Sequence, residues 1–276
     1  MKANIGKERF GPWALITGAS SGIGREFARQ LAKAGLNTVL AARRRALLQE
    51  AGASLAMDFG VQYRVITADF SEEGFVETLA NSTDDLDIGL VVSNAGSPSP
   101  GRFLSTDRDE LASQLRLNAV SHLDIAHHFG RKLAARGRGG LIFVGAMGVE
   151  KGEPYMANVA AAKAYVQSLA QALNVELRPV GVHVTVVSPG LTETPALAIL
   201  GLTPETMPMK PMKVEQCVSE AIRGLAANRS LVIPGLINRI MNAIVPASVT
   251  RTMMAKLFEK ALATKSAARQ TEAKAQ

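Results

Sequence analysis

One cysteine, Cys217, is all that 276 residues contain, so no disulfide can form within the chain and a reducing compartment is implied. Aromatic residues are scarce at 5%, and none is interleaved with the basic stretches behind the formal charge of +7. That charge is dispersed or sits at 43–45, at 131–138 and in the C-terminal tail, which is not how a nucleic-acid surface is built. No run reaches the uncharged length of a membrane span. The first ten residues are polar and lack the apolar core of a signal peptide. A cytoplasmic protein with no nucleic-acid partner is expected. Metal-ligand spacing is missing as well: His122, His127, His128 and His183 read as helix-surface histidines, and no metal site is expected. Cys217 falls within a helical apolar pattern and reads as inert packing.

What is present is ordinary core material, 47% hydrophobic and 20% charged. Short apolar runs alternate with amphipathic stretches, the pattern of βαβ units around a parallel sheet. Strands are expected at 13–17, 38–42, 64–68, 88–93, 141–145, 183–188 and 231–233. Helices are expected at 23–34, 45–59, 72–80, 110–135, 155–178 and 214–227. No repeat or low-complexity linker divides the chain. The fold class expected is α/β, a Rossmann-like doubly wound parallel sheet of about seven strands with helices on both faces, extended by C-terminal helix. One domain spans 1–235 and includes a proline- and methionine-rich lid at 191–212, whose apolar period is irregular. From 236 to 263 apolar residues recur at helical spacing, interrupted at Pro246. Cations intersperse that stripe. It suits packing on the chain's own body or on a second copy, and a homo-oligomer is expected ahead of contact with a membrane surface. The Ala/Lys/Gln-rich residues 264–276 read as a frayed tail.

The motif with the plainest chemistry is Thr17-Gly18-Ala19-Ser20-Ser21-Gly22-Ile23-Gly24, directly after the first strand. A pyrophosphate needs close backbone approach and N–H donors, which glycines at a strand-to-helix turn supply. Gly18, Ser20, Ser21, Gly22, Ile23 and Gly24 are the candidates. The second strand ends Ala42-Arg43-Arg44 with no carboxylate, and guanidinium suits a phosphate on the adenosine ribose. NADP is therefore the expected cofactor, with Arg43 its principal contact; Arg44 and Arg45 fit a solvated helix start as well as a phosphate contact.

Together with Ser93-Asn94-Ala95-Gly96 and Lys163, that turn resembles the short-chain dehydrogenase/reductase family over residues 10–235. The resemblance implies an adenine contact at Asp69 with Phe70, and support of the adenosine side by Asn94, Ala95 and Gly96. It implies that Pro189, Gly190, Thr192 and Thr194 hold the nicotinamide, that Lys163 bonds its ribose, and that Asn118 supports Lys163 through water. Ser93 stands where the family often has another Asn. The family's Tyr-x-x-x-Lys and the Ser thirteen residues before the Tyr are missing: Val159 and Ala146 occupy those positions. Neither can donate a proton, and loss of a general acid costs roughly 10²–10⁴ in rate. Tyr155, eight residues before Lys163, is a candidate replacement acid. Enoyl reductases of this broad fold use a Tyr seven before, and one residue turns a helical side chain by about 100°.

The resemblance thus implies an NADP(H)-binding oxidoreductase with weakened hydride transfer, acting on a small apolar carbonyl, imine or alkene. The alternative is an inactive NADP-binding protein that serves as sensor, scaffold or partner subunit.

Overall fold

The apolar runs become seven parallel strands because each is followed by a segment that crosses back over the sheet. A computed structural model describes residues 5–203, 207 and 209–275, with side chains described as far as residue 263. The elements are α1 (Lys7–Phe10), β1 (Trp13–Thr17), α2 (Gly22–Lys33), β2 (Asn37–Ala42), α3 (Arg45–Phe59), β3 (Tyr63–Thr67), α4 (Phe75–Asn81) and β4 (Ile88–Ser93) in the first half. Then come α5 (Arg108–Leu115), a π-helical turn (Arg116–Val120), α6 (Ser121–Arg136), β5 (Gly139–Val144), α7 (Ala157–Glu176) and β6 (Val182–Val187). The chain continues through α8 (Ala196–Leu200), α9 (Val214–Ala226), β7 (Leu231–Val232), α10 (Leu236–Ile244) and α11 (Ala247–Ala275).

The strand order is β3-β2-β1-β4-β5-β6-β7, all pairs parallel. The order reverses between β1 and β4, which opens a crevice at the carboxyl ends of those two strands. The glycine-rich turn and the Asn94-Ala95-Gly96 segment leave the sheet at that point. Neighbouring strand residues point to opposite faces. Ile16 and Leu40 join one buried cluster with Phe27, Leu31 and Cys217. Leu15 and Val39 join the other with Phe129, Phe143 and Val166. Burial pushes the Cys217 thiol up to about 12, with Glu220 adding to it, so this cysteine is the inert packing residue expected. Among the described residues no helix is long and apolar enough to cross a membrane.

Several boundaries differ from those read in the sequence, each for a local reason. The helix expected at 110–135 is three elements, because the side chain of Asn118 takes the Gln114 carbonyl (3.0 Å) inside the π turn. The helix expected from 155 starts at Ala157, since Tyr155 adopts a left-handed φ of 63° and cannot begin it. The helix expected at 72–80 starts at Phe75, behind Gly74 at φ 79°. The lid carries the short helix α8 where an irregular period suggested none, and its residues 204–206 and 208 lie outside the described residues. The tail expected to fray continues α11 to Ala275, consistent with the high helix propensity of Ala, Lys, Arg and Gln; residue 276 lies outside the described residues.

Past Pro246 the extension folds back on the body. Phe258 of α11 is buried against Met156 and Val159, with Tyr155, Leu200 and Met254 packed around them. The Lys151 Nζ donates to the carbonyls of Asn242 (2.8 Å) and Val245 (3.0 Å), satisfying the end of α10. Arg251 in turn donates to the Lys151 carbonyl at 2.9 Å.

Candidate active site

The crevice starts at the turn after β1. Gly18 (φ 67°) and Gly22 (φ 54°) occupy the left-handed region, which glycine adopts at little cost. Asn94 clamps this turn from β4. Its N–H donates to Thr17 Oγ1 at 2.9 Å, and its side-chain amide donates to the carbonyls of Thr17 (2.9 Å) and Gly18 (3.4 Å). The Ala95 N–H shares the Thr17 hydroxyl at 3.0 Å. Thr17 is therefore a member of the site that sequence reading passed over; a threonine ending a buried strand carries no distinguishing signal.

Gly24 sits so tightly that a Cβ there would meet the Gly18 carbonyl oxygen and lie 2.6 Å from Asn94 Nδ2. Ile23 beside it packs on the first core cluster. Gly24→Ala is expected to lower stability by about 1–3 kcal/mol through overpacking and to weaken dinucleotide binding by displacing Asn94. Thermal unfolding with a cofactor titration checks this, and unchanged values in both would refute the clamp.

Ser21 caps α2 without a side-chain hydrogen bond, and the first turn of that helix has no acid, so its N–H donors remain available to an anion. Arg44 reaches over the turn, donating from Nη2 to Ser20 Oγ (2.9 Å) and Ser21 Oγ (3.1 Å). Arg44 makes these bonds while remaining exposed at the N-cap of α3. Arg43 is mostly exposed and faces Asp69 at 3.7 Å. The Asp69 carboxylate also accepts from the Ser71 N–H (3.0 Å) and hydroxyl (2.6 Å). Burial acts to raise the Asp69 pKa, but Ser71 and Arg43 outweigh it and leave the carboxyl below its usual range. The ring of Phe70 does not come to the crevice: it is 4% exposed and stands edge-on to Phe75 in the core.

At the other end, Lys163 on α7 is buried and donates to the Val144 carbonyl at 2.9 Å. Burial brings its ammonium down to about 7. Asn118 stands beside it, accepting from the Ser97 N–H (3.2 Å) and donating to the Ser97 carbonyl (3.2 Å). Gly96 lies between the two: a Cβ there would be 2.9 Å from Asn118 Oδ1 and 3.0 Å from Lys163 Nζ. The missing side chain leaves a small polar cradle. His122 is also here, fully buried and 3.1 Å from Lys163 Nζ, so the expectation of a helix-surface histidine fails for it, as it does for His183, which lies in β6.

Val159, one helical turn before Lys163, is 6% exposed in the apolar cluster with Met156 and Phe258. Ala146 follows β5, where the Met147 N–H donates to the Pro189 carbonyl at 3.0 Å. Gly190 approaches Asn238 of α10. Thr192 is buried; its hydroxyl donates to the Gly190 carbonyl at 2.9 Å and is also bonded with the Cys217 thiol. Thr194 lies against Gly22, bringing the start of the lid onto the glycine-rich turn. Tyr155, the candidate replacement acid, precedes the helix. Its ring sits under the Arg102 guanidinium at 5.5 Å and packs on the Val159 cluster.

Comparison with known proteins agrees with this geometry. The chain is 31% identical over 229 residues to a 7beta-hydroxysteroid dehydrogenase of Collinsella aerofaciens, covering 82% of this chain and 87% of that one. It is 36% identical over 189 residues to a very-long-chain 3-oxoacyl-CoA reductase of Neurospora crassa, covering 67% and 57%. A solved 7beta-hydroxysteroid dehydrogenase superposes with a TM-score of 0.81 at 29% identity, over 90% of this chain and 98% of that one. A short-chain dehydrogenase from Sphingobium yanoikuyae in complex with NADPH gives 0.77 at 28%, over 86% and 96%. The family model described as short chain dehydrogenase matches residues 12–203, and the chain belongs to that family of oxidoreductases.

Proposed function

We propose that this chain is an NADP(H)-dependent oxidoreductase acting on a small apolar carbonyl, imine or alkene, with hydride transfer that lacks the family's usual hydroxyl donors. The observation that carries the reading is the contrast between the two sides of the crevice. One side offers Arg43 and Arg44, the uncapped start of α2 and Lys163 to an anionic dinucleotide. The other, at Val159, Met156 and Phe258, is apolar, with Tyr155 packed at its margin. Bound there, the dinucleotide supplies the hydride. The chain's own residues do the rest: glycine backbone and helix N–H donors hold the pyrophosphate, the arginines take the 2′-phosphate, and Lys163 reaches the cradle beside Gly96.

Val159 and Ala146 stand at the family's Tyr and Ser positions in this reading. An apolar wall there excludes water and suits a substrate that needs little protonation at oxygen. The NADPH complex of the Sphingobium relative supports the choice of cofactor. The names of the steroid and acyl relatives support an apolar substrate class. One observation favours the second reading, a dinucleotide-binding protein without turnover: α11 seals the Val159 face with Phe258 and Met254. The apolar face that α10 leaves exposed, at Leu236, Ile237, Ile240 and Ile244, favours self-association as the further role of the extension.

Fluorescence titration with NADPH and NADH, followed by NADPH oxidation against ketosteroids, 3-oxoacyl thioesters, imines and enones, tests both readings. Tighter NADPH binding with turnover is expected. Tight binding with no turnover on any of these selects the second reading, and no binding of either nucleotide sinks both.

A further inference from the structure

His122, in the first turn of α6, has no exposed surface. Its Nδ1 lies 2.7 Å from the hydroxyl of Ser93 at the end of β4, and its Nε2 lies 3.1 Å from Lys163 Nζ. The Phe143 ring stands beside it at 6.3 Å between centroids. An ammonium only donates, so Nε2 accepts from Lys163, Nδ1 carries the imidazole proton, and the Ser93 oxygen accepts it. Burial, reinforced by the charge of Lys163, holds His122 well below its usual range and therefore neutral.

Lys163 has three N–H donors. One is taken by the Val144 carbonyl and one by His122. The third is left for the side on which Gly96 lacks a Cβ, the cradle that Asn118 Oδ1 also borders. We propose that Ser93 and His122 are positioning residues of the dinucleotide site, fixing Lys163 from the interior so that its remaining N–H is presented to that cradle. This rests on the dinucleotide reading above. With Val159 on the turn before Lys163, no hydroxyl is available on that side of the helix to share the ammonium, and the imidazole partners it instead. Ser93 and His122 act together: removing His122 takes this partner from the buried Ser93 hydroxyl, whereas removing Ser93 leaves the imidazole its backbone contact with Ala95.

The consequence is a pH dependence. The groups facing Lys163 are the Val144 carbonyl from β5, neutral His122 from α6 and Asn118 from the π turn; burial is the cause of its lowered pKa, and among the described residues no carboxylate acts on it. The ammonium is lost as pH rises through about 7, and affinity for an anionic dinucleotide falls with it. His122 stabilises the charged form by accepting from it.

NADPH affinity of the intact chain, followed from about pH 5.5 to 9, should fall at a midpoint that moves down by about one pH unit in His122→Leu, while acid-side affinities converge. His122→Gln, whose amide oxygen can take the place of Nε2, should restore the midpoint. Ser93→Ala should shift it in the same direction by less. Equal loss at every pH, the same in Leu and Gln variants, would mean a merely structural residue and overturn the proposal. A second readout needs no cofactor: ¹⁵N spectra of the free protein should show His122 as the Nδ1–H tautomer, with an Nε2 resonance that moves in Lys163→Met. The Nε2–H tautomer, with NADPH still bound by the parent chain, overturns the positioning role alone. A parent chain that binds no NADPH at any pH overturns the dinucleotide reading and this inference with it.

Discussion

Val159→Tyr combined with Ala146→Ser should raise NADPH-driven ketone reduction by roughly 10²–10⁴, the usual worth of a placed general acid. Val159 lies one turn before Lys163 on α7, so a phenol there is on the same helix face as the ammonium. Ala146 leaves β5 on the segment held to Pro189, so a hydroxyl there borders the same crevice. The structure adds a condition that the motif alone does not state. Val159 is packed against Met156 and Phe258, and a tyrosine ring forced into that contact costs about 1–3 kcal/mol of stability. Phe258→Ala added to the pair removes the ring of α11 that takes up the space, and the triple variant should be the most active. Either single change should recover less than the pair, because both hydroxyls serve one oxygen. Steady-state kinetics with a panel of ketones reads the outcome. No turnover in the triple variant, with NADPH binding intact, would mean that the reacting carbon cannot reach this wall at all.

The sheet and the phosphate end of the site were legible because their signals are local. Each strand is a short apolar run, and β1 and β4 lie where the alternation places them. The glycines of the first turn sit at fixed spacing after a strand, and their φ values and close contacts follow from that. The nicotinamide end was legible only in part, because its geometry is tertiary. Ser93 stood out as a departure from the family pattern, but its meaning lies in His122, which arrives from α6 after a crossover of nearly thirty positions. On the sequence, His122 is one more polar residue on an amphipathic helix. Only the burial of that helix turn under Lys163 makes it part of the site.

The placement of Tyr155 was not legible for a different reason. Periodicity assumes that the helix continues, whereas Tyr155 is left-handed and its carbonyl accepts the Gly101 N–H at 2.8 Å. Its distance from Lys163 in sequence therefore says nothing of its direction in space. The contacts of Arg44 were not legible, because an arginine opening a helix can equally well point only to solvent. Here the second strand ends beside the first, which carries the Arg44 side chain to Ser20 and Ser21.

That placement of Arg44 sets the second large effect. Arg43→Asp combined with Arg44→Ala should invert the cofactor preference, from NADPH to NADH. A charge-assisted hydrogen bond contributes about 1.5–3 kcal/mol, so losing two guanidinium partners should weaken NADPH binding by roughly a hundredfold or more. The new carboxylate at 43 would repel a 2′-phosphate and accept from the ribose hydroxyls of NADH, raising affinity on that side. Arg43→Asp alone should do less than the pair, because Arg44 would still hold its place over Ser20 and Ser21. The new acid would also face Asp69, whose carboxyl would lose the guanidinium that helps keep it low. Arg44→Ala alone should cost NADPH affinity with little gain for NADH, since it removes a cation without adding an acceptor. The measurement is the ratio of dissociation constants for NADPH and NADH in the parent and the three variants, at one fixed ionic strength because screening weakens exposed charge pairs. A parent ratio near one would deny that either arginine reads the phosphate. A ratio favouring NADPH that survives the double variant would move the 2′-phosphate contact elsewhere in the crevice.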